Sequence, residues 1–201
     1  MMGPNDLRLA IALGREQRGT EFKGPGEKTE KAFLAKVVRA VLGMANKPDG
    51  GTVVVGVDDD GLVLTATGLT PGQLATWGYD DLHSSISNYA DPYVDFDVRV
   101  VSLDGKDFVA IEVSEFSEIP VLCKKGYPQT LRQGALYVRR RGKNETLEVP
   151  SHVEMREVIE RAAEIRARKL LGIVAQLGPA TVEQPQLAAD EMFANEAKDL
   201  L

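Results

Sequence analysis

Cysteine is almost missing from this chain: Cys123 stands alone among 201 residues, which excludes a disulfide framework and a cysteine-based zinc cluster. In "IPVLCK" it reads as a small buried hydrophobe. Histidine is nearly as scarce. His83 and His152 are far apart in sequence and lend no support to a histidine metal cluster. No apolar run approaches the roughly 18 residues that span a bilayer. The N-terminus also lacks the charged, apolar and small-residue succession of a secretory signal. The expectation is a cytoplasmic protein with no membrane segment. Several catalytic and phosphate-binding signatures are absent as well. No Gly-x-Ser-x-Gly elbow occurs. "GPGEKT" fails as a Walker loop because Glu27 separates Gly26 from Lys28, and "DDDG" lacks the alternating ligands and distant Glu of a calcium loop.

Charge is present but unevenly spread. The formal net charge is −6, yet Arg15 to Lys47 holds eight basic residues against four acidic, and Lys124 to Lys143 holds seven basic against none. Val57 to Asp107 carries ten Asp and two basic residues. Polyanion binding follows local potential rather than net charge, so the two basic segments are candidates for a phosphate-binding stripe. Ordinary solvated faces would have the same composition.

Periodicity predicts an α/β chain of the α+β kind, with a mixed, largely antiparallel sheet flanked by helices. "NDLRLAIALG" predicts a short helix stopped by Gly14. In "GTEFKG", alternation puts Glu21 and Lys23 on one face of a brief strand and Phe22 on the other. Residues 27–45 repeat apolar side chains at helical spacing, with Lys28, Lys36 and Arg39 on the opposite arc. "TVVVGV" reads as a strand covered on both faces that delivers the chain into "DDDG". A helix over 71–89 follows, then two strands joined by Asp104-Gly105, a strong hairpin signal. "IPVLCKK" and "ALYVRRR" predict further strands. From Ser151 a long helix runs to a break at Gly178-Pro179, followed by an acidic tail. The division expected is a domain over 1–150 and a helical extension over 151–201. The helix-like end of the sequence suggests the N-terminal portion of a longer protein.

The chemistry lies in carboxylates. Glu16, Glu21 and the aspartates Asp58 and Asp59 are oxygen donors of the kind Mg²⁺ or Mn²⁺ accepts. An ion held by them would activate water and offset phosphate charge, with Lys23 supplying a further cation. A solvated Glu pair and an Asp-rich turn account for the same residues, and the residues alone leave both readings open. Alternation along the strand assigns Asp59, rather than Asp58, to the face of Val55 and Val57.

In order and spacing, "EQRGTEFK", "GMANKPDGG", "TVVVGVDDDG" and "GALYVRRRGKNET" resemble the Schlafen/AlbA_2 family, also described as Schlafen-like or divergent AAA-4 domains. The resemblance spans about residues 8 to 150. It implies a metal-dependent endoribonuclease site for structured RNA such as tRNA, with Glu16, Glu21 and Asp59 holding Mg²⁺ or Mn²⁺ and Lys23 contacting the scissile phosphate. The backbone-gripping cations would be Lys124, Lys125, Arg132, Arg139, Arg141 and Lys143, with Arg140 on the other face of its strand. Eukaryotic Schlafens pair two such lobes. One lobe here suggests a homodimer, with Val158, Ile159, Ala162 and Ile165 as a candidate surface, although that stripe also suits packing on the chain's own sheet. The alternatives are a non-catalytic DNA-binding module of a transcriptional regulator and, behind it, a nucleotide-binding domain using "KPDGGTVVVGVDDDG".

Overall fold

The computed structural model describes residues 2–140 and 143–177. One compact unit runs through Ile165, and a second begins at Arg166. The chain opens with α1 (Pro4–Ala12), started by a proline that needs no N–H partner in the first turn. The central sheet consists of β1 (Thr20–Lys23), β2 (Gly51–Val55), β6 (Phe96–Leu103) and β7 (Lys106–Val113), in the order β1-β2-β7-β6. Its β1–β2 pair is parallel and the other two pairs are antiparallel. β6 and β7 join through Asp104 and Gly105, both at positive φ, as a tight hairpin requires.

Both faces of this sheet are covered, and that is why three consecutive residues of β2, Val53, Val54 and Val55, are apolar and buried. Val53 and Val55 face one core with α2 (Lys31–Ala45), while Val54 faces a second with Phe22, Phe108 and Leu7 of α1. Nearly the whole second half of α2 is buried. This helix starts four residues later than its apolar spacing predicts. The preceding backbone is held elsewhere: Trp77 Nε1 donates to the Gly26 carbonyl at 3.1 Å and the Lys28 N–H donates to Thr76 Oγ1 at 3.0 Å.

Two further departures from expectation trace to single residues. The helix expected over 71–89 is split into α3 (Pro71–Ala75) and α4 (Tyr79–Ser87). Between them Trp77 turns into the core and packs edge-on against Phe33, with ring centroids 6.1 Å apart. The strand expected over "TVVVGV" bends at Gly56, whose φ of +111° suits glycine. Beyond it, β3 (Val57–Asp59) leaves the sheet to pair with β4 (Leu64–Ala66). Val55 and Val57 therefore lie in different cores, and the alternation that favoured Asp59 does not cross the bend.

The remaining strands are short: β5 (Ala90–Asp91) pairs with β8 (Leu122–Cys123), and β9 (Tyr137–Arg139) pairs with β10 (Thr146–Glu148). Cys123 is buried as expected, and burial pushes its thiol pKa up. α5 (His152–Leu177) begins behind Ser151, whose hydroxyl accepts the Val153 N–H at 3.1 Å. Val158, Ala162 and Ile165 pack on the core, which removes them from the stripe considered for a dimer; Ile159 stays exposed. Gly178, Pro179 and the acidic tail lie outside the described residues.

Candidate functional site

Glu16 and Glu21 do meet, and what they meet over is an arginine. Arg139 is on β9 with Thr146 directly opposite on β10. Its side chain is fully buried. One terminal nitrogen donates to Glu21 Oε2 at 2.6 Å, and the other donates to Glu16 Oε2 at 2.7 Å and to the Thr20 carbonyl at 2.9 Å. Thr146 Oγ1 donates to Glu21 Oε2 at 2.5 Å. Lys23 Nζ, on the face of β1 that alternation assigns to it, donates to Glu21 Oε1 at 2.6 Å and to the Phe22 carbonyl at 3.2 Å. The Phe22 N–H donates to Glu16 Oε1 at 2.7 Å.

All four carboxylate oxygens of the pair are thus engaged by internal donors. Burial pushes the Glu16 pKa above its ordinary 4.5, and the Phe22 N–H and the Arg139 guanidinium do not fully offset it. Only Arg139 Nε is left without a hydrogen-bond partner inside this cluster.

The aspartates are built into local turns. Asp59 Oδ1 accepts the Gly61 N–H at 2.8 Å and the side chain is exposed. Asp58 Oδ2 accepts Thr67 Oγ1 at 2.6 Å. Because of the bend at Gly56 it is Asp58 that covers the end of β1: a Cβ on Gly24 would stand 2.5 Å from Asp58 Oδ1. The donor set therefore does not fit the expected ion. Two of its three carboxylates already balance a buried guanidinium and the third belongs to a turn. Among the described residues, no group of three or more His, Cys, Asp or Glu side chains is placed to hold a metal.

The cations expected to grip phosphate occupy different environments. Arg139 is corrected outright: it is an interior residue, buried because β9 packs on α2 and because two carboxylates satisfy its charge. Arg132 is exposed but paired with Glu148, its Nε donating at 2.9 Å. Lys124, Lys125 and Lys143 are exposed. Arg140 is half-buried, 3.6 Å from Glu145, and Arg141 lies outside the described residues.

Arg15 and Arg18, which belong to the first basic segment but are not singled out by the sequence, flank Glu16 and are exposed. Asn144 Nδ2 donates to the Glu16 carbonyl, so the β9–β10 hairpin and the Arg15–Arg18 loop abut. Arg15, Arg18 and Lys143 have no hydrogen-bond or ion-pair partner among the described residues. Arg18 also lines a cavity of about 250 Å³ with Asn46, Lys47 and, across from them, Glu157 and Glu160 of α5. Lys47 is held below its ordinary pKa by burial first and by the nearby Arg18 charge second.

The chain is similar to several known proteins. Of solved structures, a Corynebacterium diphtheriae protein matches at 18% identity and a TM-score of 0.46, over 73% of this chain and 26% of that one. The N-terminal domain of a DNA helicase RecG-related protein from Nitrosomonas europaea matches at 22% identity and a TM-score of 0.48, over 76% of this chain and 99% of that domain. The chain thus corresponds to about a quarter of the diphtheria protein's length. No curated protein shows a significant match. The family described as Schlafen, AlbA_2 matches residues 16–148, from the first glutamate of the buried cluster to the last residue of β10, and the chain belongs to that family.

Proposed function

We propose that this domain binds nucleic acid through the cations gathered where the Arg15–Arg18 loop meets the β9–β10 hairpin, and that Glu16 and Glu21 are internal counter-ions rather than ligands of a catalytic ion. One observation carries the reading. Arg139 uses the charge of both glutamates inside the fold, while Arg15, Arg18 and Lys143 are exposed and have no hydrogen-bond or ion-pair partner among the described residues. Internal neutralisation removes the two glutamate charges from the balance beside these cations, and exposed cations attract phosphate.

A second reading keeps the metal-dependent endoribonuclease, acting on tRNA or another structured RNA with Mg²⁺ or Mn²⁺. The convergence of Glu16 and Glu21 favours it, but Arg139 would have to withdraw before an ion could enter. The two readings separate in one set of measurements. Binding of tRNA and of duplex DNA is followed by anisotropy across salt concentrations, for the wild type and for R18E/K143E. Each lost phosphate contact should flatten the log–log salt dependence by roughly 0.9, so the double variant is expected to lose about twice that. An unchanged slope would remove this surface from the interface. Cleavage is then assayed with Mn²⁺ and with chelator. The binding reading expects none from wild type or E21Q, whereas cleavage by wild type that E21Q abolishes would establish the nuclease.

A further inference from the structure

A second surface carries chemistry that the buried cluster does not use. Between the start of α2, the end of α4 and the turn after β8 lies a cleft of about 370 Å³. Leu34 forms part of its wall, Tyr89 and Tyr127 contribute aromatic rings, and Lys31 and Lys125 bring two cations. Lys125 Nζ stands 5.9 Å from the centroid of the Tyr89 ring. Asn88, exposed at the C-cap of α4, has no side-chain hydrogen bond among the described residues. No carboxylate lines the cleft, although the chain has 30 acidic residues.

We propose that this cleft holds one unstacked base of single-stranded nucleic acid, an inference that rests on the nucleic-acid reading above and gives it a strand preference. Each part has a matching ligand feature. An aromatic ring with an apolar neighbour suits the face of any base. A free carboxamide offers a donor and an acceptor to a base edge. Two lysines on a lining that holds no carboxylate suit the flanking phosphates. A duplex keeps its bases stacked and paired and cannot fill such a cleft. The site is distinct from the Arg139 cluster: Leu34 precedes Gly43, the α2 residue that touches Thr146, by nine positions, or about 14 Å along a helix rising 1.5 Å per residue.

The test uses short single-stranded RNA and DNA oligonucleotides of one sequence carrying 2-aminopurine, whose fluorescence reports stacking, beside the corresponding duplexes. Wild type should bind the single strands more tightly and change the probe's emission, and the RNA and DNA arms show whether the sugar matters. Tyr89→Leu should weaken binding roughly 5- to 150-fold, the range for loss of one stacked base. Tyr89→Phe should retain it. Because Tyr89 also packs on the core, K31Q/K125Q and N88A, all at exposed positions, provide a second route and should each weaken single-strand binding while leaving thermal unfolding unchanged. Single-strand binding with an emission change that survives all of these variants would overturn the cleft and leave the Arg18–Lys143 interface standing. Wild type that binds duplex better than single strand would also overturn it. If wild type binds no nucleic acid of either form, both proposals fall together.

Discussion

Removing the Arg139 guanidinium should be among the most damaging single changes to this fold. Arg139→Met keeps the length and most of the apolar contact of the side chain but strands Glu16 and Glu21, whose side chains are only 12% and 5% exposed. Breaking a buried ion pair by deleting one partner typically costs ~3–5 kcal/mol, because the surviving charge stays desolvated. Lys23 still neutralises part of Glu21, at 2.6 Å, which argues for the lower half of that range. For a unit of this size, 1 kcal/mol moves the midpoint by roughly 2–4 °C, so a fall of about 6–15 °C is expected. Thermal and urea unfolding followed by circular dichroism would measure it. The companion variant R139M/E16Q/E21Q removes all three charges and should recover part of the loss. A single variant within ~1 kcal/mol of wild type, or a triple variant no better than the single, would refute the idea that charge balance holds this cluster together.

Other consequences can be checked with the same instruments. Gly43 faces Thr146 so closely that an added Cβ would sit 2.3 Å from its methyl group. G43A should therefore displace the hydroxyl that donates to Glu21 and lower stability by ~1–3 kcal/mol in denaturant unfolding. Acid should act through Glu115. Burial raises its pKa, but Arg161 donating at 2.5 and 2.7 Å, the Asp49 N–H and the Arg161 and Lys47 charges outweigh that and hold it below 4.5. A depressed carboxylate pKa contributes stability that is present above pH 4.5 and is lost as pH falls through the folded value. E115Q should accordingly unfold with less acid dependence below pH 4.5 than wild type, as measured by midpoints across that window. Glu16 has the opposite sign. Its raised pKa contributes stability that is full below pH 4.5 and is lost as pH rises through the folded value, so E16Q should remove that part of the slope.

Much of the fold was readable because its signals are local. Asp104-Gly105 prescribes its turn by backbone conformation alone, and the apolar run of β2 reports that both its faces are covered. The side chains of Glu21 and Lys23 share a face because that needs only a period of two. The site was less readable because its deciding partner is distant in sequence: Arg139 is 118 residues from Glu21, and in "YVRRR" it is indistinguishable from a surface cation. Alternation assigned Arg139 and Arg140 to opposite faces but could not say which side was inward. The choice between Asp58 and Asp59 depended on a single positive φ at Gly56, a bend to which hydrophobic patterning is blind. The splitting of α3 from α4 likewise follows from one tryptophan finding a carbonyl 51 residues away.

β1 is an edge strand, four residues long, with β2 on one side only. The outward-facing backbone groups of Thr20 and Phe22 would ordinarily be open to another chain's strand. Here the Thr20 carbonyl is taken by Arg139, the Phe22 N–H by Glu16, the Phe22 carbonyl by Lys23, and the Thr20 N–H by the Gln17 carbonyl at 3.1 Å. The charged cluster therefore does the work of a missing neighbouring strand. Its loss would unseal the sheet as well as weaken it, and variants at Arg139 or Glu16 would be prone to strand-to-strand self-association before they unfold.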